Sequence, residues 1–165
     1  MRSGVRVQHR TAATEATDAS TWPRQAPRPE LASGATDVWR VDVPSPAAIN
    51  RTRSLLHGHV SETGRRTAAD DADLEVLLLT YEELTSNAVR HGRSPVVVTV
   101  TTTDDGWLID VVDGAAERPP SPAIDRDPAL GGLGLHLVAR LCAAHGWWVD
   151  RNRKHVWARV RRTRV

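Results

Sequence analysis

The chain has 165 residues, a formal net charge of +2 at pH 7, one cysteine and no phenylalanine. This length allows one ordinary domain with or without a tail. A single cysteine excludes a disulfide framework and indicates a reducing compartment. No run approaches the roughly 20 apolar residues of a membrane span, so we expect a cytoplasmic protein with no membrane partner.

Residues 1–36 differ in composition from the rest of the chain. They contain no Ile, Phe or Tyr and a single Trp, so they bury too little apolar surface to offset the entropy of ordering. We therefore predict a disordered tail at 1–36 and one folded domain at 37–165. A cleaved organellar segment, rich in Arg and Ser/Thr, is the alternative interpretation of the tail. A secretory signal is not expected, because no apolar run follows the basic start.

The first half of the domain predicts a strand and two helices. Residues 37–44 alternate as a strand does, and 45–64 has the Ser N-cap and early Pro of a helix. A second helix is predicted over roughly 71–91, with Gly92 at its end. The residues expected to face the core from the two helices are Ile49, Leu55, Leu56, Val60, Leu74, Leu77, Leu78, Tyr81, Leu84 and Ala88.

The second half predicts a hairpin, a lid, a helix and a second hairpin. Two β-branched runs, 94–103 and 106–113, flank an Asp-Asp-Gly turn. The Pro-rich segment 114–131 is long enough to be a functional lid. A glycine-led helix capped by Gly146 follows, and two strands lie within 147–162. This order predicts a two-layer α/β sandwich, with a mostly antiparallel mixed sheet and the helices on one face.

The C-terminal segment from Arg151 onward carries seven basic residues and no acidic one. A nucleic-acid patch is one interpretation of this charge. However, aromatic residues are few there, and the alternation is typical of an edge strand whose charges discourage pairing with other strands. Nucleic acid is therefore not the partner that we expect.

Glu83 and Asn87 lie four residues apart on a second, partly apolar side of the helix predicted at 71–91. An Asn amide oxygen is a neutral ligand that suits Mg²⁺. A carboxylate one turn earlier can orient or deprotonate a water or a hydroxyl group. The alternative is a solvated helix face without chemistry.

Two further features have the chemistry of a ligand site. Gly131, Gly132 and Gly134 lead into a helix, which presents backbone N–H groups at the positive end of the helix dipole and favours anions. Asp113, followed by Gly114, ends a strand where its carboxylate can accept from an amino group on a base. The alternatives are a structural turn at the glycines and ordinary turn chemistry at the aspartate.

Taken in order, residues 82–92 (EELTSNAVRHG), 111–120 (VVDGAAERPP) and 131–138 (GGLGLHLV) resemble the N, G1 and G2 boxes of the GHKL, or Bergerat-fold, ATPase superfamily. Gyrase and histidine kinases share this superfamily. The pattern is similar to its branch of anti-sigma-factor serine/threonine kinases and their actinobacterial relatives, over about residues 37–162. The resemblance implies the Bergerat ATP-binding fold, with ATP and Mg²⁺ as ligands.

The resemblance also implies a role for each matching residue. Glu83 would be the general base, Asn87 would hold the Mg²⁺ that bridges the ATP phosphates, and Asp113 with Gly114 would bind the adenine. The phosphates would lie beneath the lid at 114–131. The residues implied to cradle them are Gly131, Gly132, Leu133, Gly134 and Leu135.

The chain departs from the family pattern at three places. The first glycine box is reduced to DGAA, and His155 stands where the family often has a Thr near the adenine. Leu130 stands where kinase members carry a lid arginine, and Arg126 is the nearest candidate. Phosphoryl transfer depends on positive charge placed around the transferring group. ATP binding is therefore better supported than kinase turnover.

The resemblance implies an ATP-binding regulatory kinase that binds a sigma factor or phosphorylates a Ser/Thr of a small anti-sigma antagonist. The alternative is a module of the same fold that binds nucleotide or only a partner and does no chemistry. A detached histidine-kinase catalytic domain is a third interpretation, which needs a separate phosphoacceptor helix. Small relatives pair as homodimers through the sheet edge, so the strand at 37–43 is where we expect a second copy.

Overall fold

The computed structural model describes Trp22, Pro29 and residues 37–62, 68–120 and 133–163. Within these ranges, five strands and three helices follow in the predicted order. Their bounds are β1 Asp37–Asp42, α1 Pro46–Glu62, α2 Ala68–His91, β2 Val97–Thr103, β3 Gly106–Asp113, α3 Leu133–Leu141, β4 Ala144–Asp150 and β5 Arg153–Arg161.

The described strands form one sheet in the order β1-β2-β3-β5-β4, and every neighbouring pair is antiparallel. The hairpins predicted at β2–β3 and β4–β5 are confirmed. In the first of them Gly106 has a φ of 150°, which residues with a side chain rarely adopt. The sheet therefore has β1 at one edge and β4 at the other.

All three helices pack on the same face of the sheet, which confirms the α/β sandwich. The apolar stripe predicted for α2 is buried throughout its length. This stripe packs against the inner face of the sheet. Successive side chains of a strand point to opposite faces, so the inward-facing strand residues alternate with outward-facing ones. These inward-facing residues are Val98, Val100, Trp107, Ile109, Val111, Val156, Ala158 and Val160. None of the helices in the described ranges is long and apolar enough to cross a membrane.

The inner face of α1 differs from the prediction at one residue. Leu55 is 55% exposed, while Thr52 lies inside the protein. The Tyr81 hydroxyl donates a hydrogen bond to Thr52 Oγ1 at 2.6 Å, and Oγ1 donates to the Ala48 carbonyl at 2.9 Å. A buried hydroxyl needs such partners. Thr52, which has hydrogen-bond partners in Ala48 and Tyr81, thus lies in the core, whereas Leu55, which the apolar pattern predicts to be buried, does not.

The helix α3 is shorter than predicted. It ends at Leu141, so Gly146 does not cap it and lies within β4 instead. Cys142, directly after the helix, is a buried free thiol, as expected. Burial raises the pKa of this thiol, and the Thr80 hydroxyl, 3.4 Å from Sγ, acts in the opposite direction.

Trp22 belongs to the segment 1–36, for which composition predicts disorder. The residue is 5% exposed and is part of the core. Its indole N–H donates to the Leu135 carbonyl at 3.4 Å, and its ring lies 4.7 Å from the His145 ring. An aromatic side chain as large as Trp buries a large apolar area, which favours its packing into the core. Apart from Trp22 and Pro29, the segment 1–36 lies outside the described residues.

Candidate functional site

The helix α2 packs on the sheet and against α3, since it contacts β3, β5 and α3. Glu83 and Asn87 are both half-buried on this part of α2 and lie one turn apart, as the spacing predicts. Glu83 packs against α3, as its contact with Gly134 shows. The alternative of a solvated helix face therefore does not apply to Glu83.

Gly134 lies in the first turn of α3, directly against the Glu83 side chain. A Cβ at this position would overlap the Glu83 carboxylate, so glycine lets the carboxylate meet the backbone of α3 near its positive end. Burial raises the pKa of Glu83; the charge of Glu82 adds to this effect and Arg90 opposes it. A half-buried carboxyl group with a raised pKa has the properties of a general base or acid.

Asp113 ends β3 and is fully buried. Its Oδ1 accepts a hydrogen bond from the Ala115 N–H at 2.7 Å. Its Oδ2 lies 3.1 Å from Lys154 Nζ but accepts no directed hydrogen bond from the described residues. The ammonium group offsets the cost of burying this charged oxygen, and a carboxylate oxygen can accept more than one hydrogen bond. This oxygen therefore marks a place where a ligand or a water molecule can donate.

Two glycines lie beside this carboxylate. A Cβ on Gly92 would stand 2.6 Å from Asp113 Cγ and 2.7 Å from Oδ2. Gly114 N–H donates to the Arg93 carbonyl at 2.6 Å, and the Arg93 guanidinium pairs with Glu117 at 2.8 Å. Gly92 ends α2 as predicted, but its position in the sequence did not reveal that its lack of a side chain lets Asp113 lie against the backbone.

The register of β3 and β5 corrects one prediction. It pairs Asp113 with Lys154 and Val112 with His155. Neighbouring residues on a strand face opposite sides, so Lys154 lies beside Asp113, and His155 lies on the outer face with its Nδ1 3.1 Å from Asp110 Oδ2. His155 therefore does not lie beside Asp113, the residue that the resemblance places near the adenine, whereas Lys154 does. The alternation of apolar and polar residues along β5 could have predicted that Lys154 and His155 face opposite sides of the sheet.

The remaining predicted residues are partly described. Leu133 and Leu135 flank Gly134 in the first turn of α3; Leu133 is exposed and Leu135 is buried. In the described ranges no group of three or more His, Cys, Asp or Glu residues could hold a metal ion. Mg²⁺ held mainly by phosphates needs only one or two protein ligands. The predicted positions outside the described residues are Arg126, Leu130, Gly131, Gly132 and the lid from 121 to 131.

Comparison with known proteins agrees with this arrangement. The family model described as a histidine kinase-like ATPase domain matches residues 45–160, which is well over half of the chain. The match includes Glu83, Asn87 and Asp113. The search of curated proteins gives no significant match. The chain therefore belongs to the histidine kinase-like ATPase domain family of the GHKL superfamily and is an ATP-binding module.

Proposed function

We propose that the chain is a Mg²⁺- and ATP-dependent serine/threonine protein kinase of the anti-sigma-factor type, which acts on a sigma factor or on a small antagonist protein. The placement of Glu83 is the observation that supports catalysis. Its carboxylate is half-buried, lies against Gly134 at the start of α3, and has a pKa raised by burial. A carboxylate that served only solubility would have no reason to lie there.

The described residues fit a nucleoside triphosphate with its metal ion. At one end of this half of α2, Asp113 has a buried oxygen that lies beside the Lys154 ammonium group and accepts no directed hydrogen bond from the described residues. At the other end, Gly134 opens the backbone of α3. Asn87 lies between these ends along α2 and carries a neutral oxygen that Mg²⁺ accepts. When bound, the Mg²⁺–ATP complex supplies the phosphoryl group to be transferred.

Each residue of the chain has a separate task in this proposal. Asp113 and Gly114 bind the base, Asn87 holds the metal ion, and the segment 131–135 binds the phosphates through backbone N–H groups. Glu83 accepts the proton of a Ser or Thr hydroxyl on the protein substrate while the hydroxyl oxygen bonds to the terminal phosphorus of ATP; the bond from that phosphorus to the bridging oxygen breaks, and ADP leaves.

Nucleotide binding is tested by thermal unfolding with and without ATP and Mg²⁺. At 100 times its dissociation constant a ligand adds about 2.7 kcal/mol, which raises the melting temperature of a domain of this size by several degrees. We expect this shift for the wild type and its loss in Asn87→Ala. Asn50→Ala, on the exposed side of α1, is the matched control and should keep the shift.

Catalysis is tested by transfer of radiolabelled phosphate from ATP to a co-encoded antagonist protein. Glu83→Gln should slow transfer by about 10² to 10⁴, the usual contribution of a general base, and should keep the thermal shift. Glu82→Gln is the control, because Glu82 is the adjacent carboxylate and pairs with Arg53 at 3.5 Å on the surface. Unchanged transfer by Glu83→Gln would show that another group is the base.

A second candidate function is a nucleotide-dependent binding module without catalysis. Leu130 in the place of the lid arginine favours it, because the transferring group would then lack a nearby positive charge. A thermal shift with ATP and no transfer to any co-encoded antagonist would support this function over the kinase.

We further propose that a homodimer forms along β1. This strand is an edge of the sheet, and Val38 on it is 59% exposed. Val38→Glu should convert the dimer to a monomer in sedimentation equilibrium, because a charge on an edge strand discourages pairing. Leu55→Glu, on an equally exposed leucine of α1, should not. A dimer mass that persists in Val38→Glu would exclude pairing through β1.

A further inference from the structure

Trp22 contacts the first turn of α3, the helix to which the proposed function assigns the phosphates. Its indole N–H donates to the Leu135 carbonyl at 3.4 Å, and Leu135 directly follows Gly134 in the helix. Gly134 is the residue against which the Glu83 carboxylate packs. A chain of contacts thus leads from Trp22 through the start of α3 to the proposed general base.

The helix α3 depends on its neighbours for its stability. It has nine residues, Leu133–Leu141, and an isolated helix of this length is marginal in water. Its main contacts with other described elements are with α2 and β4. Trp22 is 5% exposed, and its ring lies 4.7 Å from the ring of His145 on β4. A large aromatic side chain, which buries about 150–250 Å², therefore packs where α3 meets β4.

The position of Trp22 is not a consequence of the strand that follows it in the sequence. That strand, β1, begins at Asp37 and forms one edge of the sheet, whereas β4 with His145 forms the opposite edge. A side chain that lies at the far edge is held there by its own contacts. The contact between Trp22 and α3 therefore needs an explanation beyond the docking of β1.

We propose that Trp22 is a positioning residue of the nucleotide site, which fixes the first turn of α3 by packing beside Leu135 and His145. In this position the backbone N–H groups of the turn face the phosphates, and Gly134 stays against Glu83. Trp22 itself makes no contact with the ligand. The proposal rests on the proposed nucleotide site, because it assigns the phosphates to α3.

The physical reason is that loss of the ring leaves a cavity beside a short helix. Neighbouring groups fill such a cavity only in part, so the first turn of α3 loses its fixed place. Hydrogen bonds to phosphate oxygens weaken steeply with distance and angle. The proposed contact with the base is at Asp113, which ends β3 and lies against Lys154 and Gly92, outside α3. The affinity for phosphates should therefore fall while the affinity for the base stays.

The test compares ATP with adenosine, which has the same base and no phosphates. Titration calorimetry of the full chain with Mg²⁺ gives both affinities, and their ratio measures the contribution of the phosphates. Since both ligands bind the folded state, partial unfolding lowers both apparent affinities by the same factor and leaves the ratio unchanged. In Trp22→Ala the ratio should fall by about tenfold or more, as expected for the loss of one hydrogen bond to a charged group.

Two further variants separate positioning from general stability. Trp39→Ala is the matched control, because Trp39 packs against the core from β1, with 6.0 Å between its ring and that of Tyr81. It should destabilise the protein and keep the wild-type ratio. Trp22→Phe keeps an aromatic ring beside α3 and should lower the ratio by only about threefold. An equal loss in Trp39→Ala and Trp22→Ala would overturn the proposal.

The outcomes distinguish this proposal from the proposed function. If the wild type binds neither ligand, or binds ATP no better than adenosine, the phosphate site on α3 is wrong and the positioning role fails with it. If the wild type prefers ATP and Trp22→Ala keeps that preference, only the positioning role is overturned.

A folding failure of Trp22→Ala does not prevent the test, because Trp22→Phe and Trp39→Phe then decide. A lower ratio of ATP to adenosine affinity in Trp22→Phe than in Trp39→Phe supports the proposal. Equal ratios in these two variants overturn it.

Discussion

β3 and β5 build two pairs of a carboxylate with a basic side chain, one on each face of the sheet. On the inner face Asp113 lies beside Lys154, and both are buried. On the outer face the Asp110 oxygens lie 3.1 and 3.3 Å from His155 Nδ1, and the Trp148 ring lies 4.8 Å from the imidazole. The two outer oxygens share one ring nitrogen, whereas the inner Oδ2 lies beside the Lys154 ammonium group and accepts no directed hydrogen bond from the described residues.

This difference separates a structural pair from a pair that is suited to a ligand. In the outer pair Asp110 is buried and His155 is half-buried. The inner pair lies under the end of α2, where the backbone of Gly92 closely approaches the carboxylate. An incomplete set of hydrogen bonds in a buried place is informative because folding alone would not favour it.

The largest expected effect is on stability. Lys154→Met leaves the Asp113 carboxylate buried without a cation and should lower the free energy of unfolding by about 3 kcal/mol or more. His155→Gln removes a partly exposed partner and should cost less than about 1 kcal/mol. Urea denaturation of both variants measures the difference. Equal losses would mean that burial does not distinguish the two pairs.

The second effect is on nucleotide affinity. Asp113→Asn should weaken ATP binding by about 10- to 100-fold, because a hydrogen bond to a charged acceptor is replaced by one to a neutral amide. Asp110→Asn, the same change on the outer face, should leave the affinity unchanged. Calorimetric titration checks both. A loss of affinity in Asp110→Asn would indicate that ATP binds at the outer face of the sheet, which would contradict this comparison.

The third effect concerns the space beside the inner pair. Gly92→Ala should destabilise the protein by about 1–3 kcal/mol, the usual cost of overpacking, because the new Cβ meets the Asp113 carboxylate and the Ala88 carbonyl. Gly58→Ala, in α1 with open space around it, should gain up to about 1 kcal/mol from helix propensity. The two melting temperatures should therefore move in opposite directions. A rise in both would show that the space beside Asp113 is not tight.

The smallest effect extends the comparison to Glu83, a half-buried carboxyl group whose raised pKa has burial as its main cause. A raised pKa means that the folded state binds the proton more tightly than the unfolded state, so this group makes stability fall as pH rises between the unfolded and folded pKa values. Glu83→Gln should therefore gain about 0.5 kcal/mol at neutral pH. The gain should vanish in acid, where both states hold the proton. Denaturation curves across pH measure it, and a constant difference would contradict it.

Local patterns predicted most of the fold. The stripe of α2 from Leu74 to Ala88 is buried as its helical spacing requires. The bounds of β3 are those expected from its β-branched run between a Gly turn and Asp113. These features depend on neighbours within a few residues, which is why one sequence suffices to predict them.

The failures share a different origin. Leu55 is exposed, and Thr52 is buried on α1, where Tyr81 of another helix donates a hydrogen bond to it. His155 was placed near the base because motif similarity does not resolve a register of one residue, whereas the pairing of β5 with β3 does. Each error concerns a contact between elements, and no local pattern contains that information.

The amino-acid sequence by itself determined the order of elements, the apolar face of α2 and the spacing that places Glu83 and Asn87 one turn apart. Only the tertiary structure decided that Lys154 stands beside Asp113, that Gly134 receives the Glu83 carboxylate, and that Trp22 reaches Leu135 across 113 positions of the chain. The physical reason is that periodicity acts within one element, while burial and ion pairing depend on which elements the fold brings together.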